Sequence, residues 1–69
     1  MNADIKKLIN SMHWFEIELL KAYYNHNKNI SKLSKDCKIS YMYLWRKLNK
    51  LRQTGKFKLL DYPEYFNQN

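Results

Sequence analysis

The chain has 69 residues, a formal net charge of +7, an apolar fraction of 45% and an aromatic fraction of 16%. That length suffices for one domain, and that apolar content excludes a disordered basic tail. The lone Cys37 excludes an intrachain disulfide and a cysteine-rich zinc site, and no apolar run approaches the roughly 18 residues of a membrane span.

Taken in chain order, the first pattern is an amphipathic helix over 4–12. Ile5, Leu8, Ile9 and Met12 share one stripe at i, i+3, i+4 and i+7, with Asn2 or Asp4 as its cap. So short a helix must pack on something to persist. The expected support is a helix over 13–25. There Ile17, Leu20 and Tyr24 form one face, and Phe15, Leu19 and Ala22 form another. A helix apolar on two sides is normally sandwiched, so the first helix is expected to cover the Phe15–Leu19–Ala22 face. The run Asn25 to Asn29 is a polar loop.

Ser31 is the expected cap of a short helix over 32–37, with Ile30 before it as a staple and Cys37 as a small buried hydrophobe. Lys38 to Ser40 forms a turn. Ser40 caps a longer helix over 41–54, and Gly55 stands where a left-handed C-terminal cap belongs. Residues 56–60 alternate briefly, which predicts a short strand, and 61–69 reads as a turn followed by a polar tail with two aromatics. The pattern is that of a small all-α domain of three or four helices, with one possible C-terminal strand.

Positive charge concentrates in the second half. Between Lys28 and Lys58 lie ten basic residues against the single acid Asp36, whereas the rest of the chain holds three lysines and five acids. Such clustering is the electrostatic footprint of a phosphate-binding surface, although a solvated lysine-rich face has the same composition.

The segment Leu33-Ser34-Lys35-Asp36-Cys37-Lys38-Ile39-Ser40-Tyr41-Met42-Tyr43-Leu44-Trp45-Arg46-Lys47-Leu48 resembles the helix-turn-helix of prokaryotic and phage DNA-binding proteins. Its continuation, Asn49 to Phe57, resembles the long recognition helix and following strand of winged-helix regulators. The same local pattern is similar to sigma-factor-like domains and to small DNA-binding terminase subunits. In this reading Leu33 and Cys37 anchor the first helix, Ile39 plugs the turn, and Leu44, Leu48 and Leu51 hold the second helix to the core. Ser34 stands where the family usually has alanine, and Lys38 where it favours glycine because the backbone there is left-handed. No hairpin partner for a wing follows Pro63, so a tri-helical domain and an incomplete wing both remain open.

The resemblance implies a sequence-specific double-stranded DNA-binding protein, a small transcription regulator that lays helix 41–54 in the major groove. Ser40, Tyr41, Met42, Tyr43, Arg46 and Asn49 are the candidate base readers. Arg46 suits a guanine, and Met42 or Tyr43 a thymine methyl. Ser31, Lys32, Lys35, Lys38, Lys47, Lys50, Lys56 and Lys58 are the candidate phosphate contacts. Trp45 and Tyr41 border the core arc and are expected to be partly buried, and Tyr23 and Tyr24 to be core or boundary aromatics.

Other classes fit less well. His13 and His26 are far apart with no nucleophile–base pair, and one glycine cannot build a phosphate-cradling loop, so neither enzymatic activity nor a cofactor or metal is expected. The stronger rival is an interaction module that uses the same fold to bind a host protein, or a DNA-packaging adaptor acting on viral DNA. The aromatics Tyr41, Tyr43, Trp45, Tyr62, Tyr65 and Phe66 would suit such an interface. Single-stranded nucleic acid could also stack on them. One recognition helix covers too few base pairs for a unique address, so a homodimer is expected, through the aromatic tail Tyr62 to Phe66 and an unpaired strand Phe57 to Leu60. With neither a signal-peptide pattern nor a membrane span in the sequence, residence in the cytoplasm is the expectation, or in the host cytoplasm if the protein is viral.

Overall fold

A computed structural model describes residues 3–66. Asn2, one expected helix cap, and the last three positions of the tail lie outside them. Within them the chain forms α1 (Ala3–Ser11), α2 (Trp14–Asn25), α3 (Ile30–Cys37) and α4 (Tyr41–Gln53). Two 3-10 helices follow, Lys56–Asp61 and Pro63–Tyr65. The domain is all-α.

The starts of these helices have local causes. Glu16 accepts a hydrogen bond from the His13 N–H (2.9 Å) and satisfies a donor at the entry to α2. At the entry to α3 it is Asn29, not Ser31, that caps: its Oδ1 accepts from the Lys32 N–H at 3.1 Å. Asn27 and Lys28 both take a left-handed φ of 57°, which turns the chain early enough for α3 to begin at Ile30. Ile30 and Ser31 therefore lie inside the helix. Ser40 caps α4 as expected, accepting from the Tyr43 N–H at 3.4 Å. Gly55 closes the far end with φ 79°, a conformation open to glycine without steric cost.

The turn between α3 and α4 is closed twice by Ser34. Its carbonyl accepts from the Ile39 N–H at 3.1 Å, and its hydroxyl donates to the Ile39 carbonyl. Lys38 occupies the left-handed region (φ 55°, ψ 42°), as the glycine-favouring turn position requires. His26 ties α2 to α3: its Nδ1 lies 2.7 Å from the Ala22 carbonyl and its Nε2 3.1 Å from Asp36 Oδ2.

The sequence pattern misleads most after Gly55. Residues 56–60 are not a strand but part of the 3-10 helix Lys56–Asp61, and no strand exists among the described residues. Leu59 and Leu60 are consecutive and both buried. A strand would send them to opposite faces and would need a partner for its backbone groups; i→i+3 bonding supplies both needs locally. This segment packs against α1, α2 and α4 and places Leu59 and Leu60 among Ile5, Met12, Leu20, Leu48 and Leu51. Each such leucine contributes about 1.5–3 kcal/mol.

The tail completes the same core. Phe66 is buried and packs edge-on against Tyr24, with ring centroids 5.6 Å apart, and Phe57 packs against Tyr23 at 5.8 Å. Leu59, Leu60 and Phe66 are buried within the domain, so the expected dimer surface loses its strand and these three residues, while Tyr62 and Tyr65 stay half-buried. The 3-10 segment also takes α1 for itself. α1 does not cover the Phe15–Leu19–Ala22 face: Leu19 and Ala22 are half-buried, and Phe15 stays 44% exposed.

Candidate nucleic-acid interface

α3, the turn after it and α4 carry most of the basic residues that the sequence singles out. On α4, Leu44, Leu48 and Leu51 are buried. At 100° per residue the opposite arc is Met42, Arg46 and Gln53, with Lys50 and Tyr43 beside it. All five are exposed, Met42 to 56% and Tyr43 to 48%. Tyr43, Arg46, Lys47 and Lys50 line one shallow depression. There the Lys47 Nζ sits 5.6 Å from the centre of the Tyr43 ring, a distance at which the ring face attracts the cation. The arrangement is a basic ridge with an aromatic platform on one flank, and no acid lines the depression.

The candidate residues divide on closer geometry. Tyr41, Met42, Tyr43 and Arg46 are exposed together along the first half of α4. Ser40 directs its hydroxyl oxygen to the cap, so it retains its O–H to donate outward. Asn49 does not belong with them: it is half-buried, accepts a 2.6 Å hydrogen bond from Arg52 Nη2 and lines the opposite flank with Tyr23, Trp45 and Phe57. The helix rotation that puts Asn49 near Met42 also brings it within one turn of Arg52, and that pairing occupies its Oδ1.

Among the candidate phosphate contacts, Ser31, Lys32, Lys35 and Lys38 are exposed on α3 and its turn, and Lys47, Lys50 and Lys58 are exposed further on. Lys56 is not available. Its ammonium lies 3.1 and 2.9 Å from the two carboxylate oxygens of Glu16. Partial burial alone would push the Glu16 carboxyl up, but the hydrogen bonds from Lys56 and the His13 amide, with the positive charge of Lys56, hold it below its ordinary value of 4.5. The two charges serve the fold, linking α2 to the 3-10 segment.

Three features escape a reading of the sequence. Cys37, expected in the core, is exposed, and Ile39, the expected plug of the turn, keeps 40% of its surface. Trp14 is 76% exposed and meets Phe15 edge-on at 6.4 Å. The sequence pattern predicts a helix covering Phe15, and no signal in it shows α1 lying elsewhere.

Among the described residues no three His, Cys, Asp or Glu side chains gather as metal ligands would. No described helix is long and apolar enough to cross a membrane. The chain matches no protein-family model, no curated protein and no solved structure.

Proposed function

We propose that this protein binds double-stranded DNA sequence-specifically, as a small transcription regulator, with the first half of α4 in the major groove. One observation carries the reading: Tyr43, Arg46, Lys47 and Lys50 form a continuous exposed surface, with Arg46 opposite the buried leucines of α4 and Lys47 on the flank. A B-DNA major groove admits one α-helix, and a helix serving there needs its apolar side held by the domain and its polar side free. The three-residue turn before α4 supports the same reading, because it exposes Ser40 to Tyr43 at the end that would enter the groove.

Arg46 has the reach and the planar fork to pair with a guanine, and Met42 and Tyr43 offer apolar contact to thymine methyls. Lys32 and Lys35 on α3 and Lys47 and Lys50 on α4 flank this centre and would hold phosphates on either side. Lys38 adds to the first group. With about five phosphates neutralised, log K should fall against log salt with a slope of roughly −4.5. Fluorescence anisotropy of labelled duplexes over a salt series tests it. A flat response, or equal affinity for duplex, single strand and RNA, overturns the reading.

A further inference from the structure

Between α2 and the junction of α3 with α4 lies a groove of ≈ 270 Å³ that the domain does not fill. Its floor and walls are Phe15, Leu19, Ala22, Ile39, Tyr43 and Leu44. Phe15, Ile39 and Tyr43 each keep between 40% and 48% of their surface in water, and Trp14 extends the apolar strip beyond Phe15. Exposed apolar strips of this kind are uncommon on isolated domains and mark sites of association. The volume falls short of the roughly 300–1,000 Å³ of small-molecule pockets and suits a few aliphatic side chains. That is the demand of an amphipathic helix laid in a groove, with anchors at i, i+3, i+4 and i+7.

Charge selects among the occupants. Lys47 lines this groove, and both Lys47 and Lys50 line its continuation beside Phe15 and Leu19. Neither lysine is within ion-pair distance of a carboxylate among the described residues. Glu16, the acid beside them, is already satisfied by Lys56. A second copy of this chain would bring the same lysines and another +7 to the contact, which like-charge repulsion opposes. Glu18 on the α2 wall asks for a neutral or basic group on that side alone.

We propose that this groove docks an acidic amphipathic helix of a partner protein, with its carboxylates on the Lys47–Lys50 side. Tyr43 and Lys47 belong both to the groove and to the basic ridge of α4. If the DNA reading holds, partner and duplex compete for them, and the partner acts as an antagonist of DNA binding.

The test uses the whole chain and a helix-forming peptide with leucines at i, i+3, i+4 and i+7 and glutamates elsewhere. Its control carries lysines in place of the glutamates. In amide NMR spectra the acidic peptide should produce saturable shifts centred on Leu19, Ile39, Tyr43 and Lys47, and the basic control should bind about tenfold more weakly. Phe15→Glu should weaken the acidic peptide about tenfold, and the charge reversal Lys47→Glu should remove most of the difference between the peptides while leaving the fold intact by circular dichroism. Equal affinity for both peptides, or shifts mapping outside α2 and the α3–α4 junction, overturns the proposal. So does self-association in sedimentation that Phe15→Glu abolishes, because the occupant is then a second copy. Peptide binding without any duplex binding would refute the DNA reading and leave the docking site standing; duplex binding without peptide binding does the reverse.

Discussion

Lys56 Nζ donates to both carboxylate oxygens of Glu16, at 3.1 and 2.9 Å, across 40 positions of the chain. Because Glu16 also accepts from the His13 N–H, one carboxylate caps α2 and clamps the C-terminal 3-10 segment to it. Breaking the pair from either side leaves a partly buried charge with fewer partners. Lys56→Met should lower stability by about 1–2 kcal/mol in chemical denaturation, and leave the salt slope of DNA binding unchanged. A changed slope with unchanged stability would return Lys56 to the phosphate-binding set.

The same pair gives a pH dependence with a definite sign. The folded protein holds the Glu16 carboxyl below its ordinary value of 4.5. The unfolded chain therefore takes up its proton first as pH falls. The stabilisation is fully present above that ordinary value and is lost as pH drops through the lower folded one. In denaturation midpoints measured from pH 6 downward, Glu16→Gln should start less stable and lose less than the wild-type chain below about pH 4.5. Parallel curves would show that Glu16 has no such role.

Arg46→Ala and Lys35→Ala should fail differently on DNA. Arg46 stands on the exposed arc of α4 and Lys35 on the exposed side of α3. Loss of Arg46 should cost about 1–3 kcal/mol on the preferred site and relax sequence preference, whereas loss of Lys35 should weaken every duplex alike and flatten the salt slope by about one. Equal losses on preferred and random duplexes for both variants would contradict the groove assignment of α4.

Lys38 sits at φ 55°, where a Cβ is unfavourable. Lys38→Gly should raise stability by about 1 kcal/mol, or roughly 4–8 °C in Tm for a domain of this size. Thermal melts at matched salt measure it. An unchanged or lower Tm would mean that the lysine side chain stabilises the turn by as much as its backbone costs.

Leu59 is fully buried at the point where the 3-10 segment meets α1, α2 and α4. Leu59→Ala should cost about 2–5 kcal/mol, and truncation after Gly55 should unfold the chain by circular dichroism. A folded truncated domain would show that the segment is an appendage.

The sequence by itself determined the four helices, the cap at Gly55 and the leucine stripe of α4, while the left-handed turn at Lys38 was implied only by the helix-turn-helix resemblance. These follow from periodicity and from backbone conformations that few residues adopt, and both are local in the chain. It also concentrated ten of the thirteen basic residues in the half of the chain that contains α3 and α4. The tertiary structure alone decided the partners of those elements. Whether α1 covers Phe15 or meets Leu59, and whether Lys56 faces solvent or Glu16, depends on contacts between distant segments with nearly equal apolar claims. The Lys56–Leu60 alternation favoured a strand only while no partner was considered. With none to pair, the backbone is satisfied in a 3-10 helix, which packs against α1, α2 and α4.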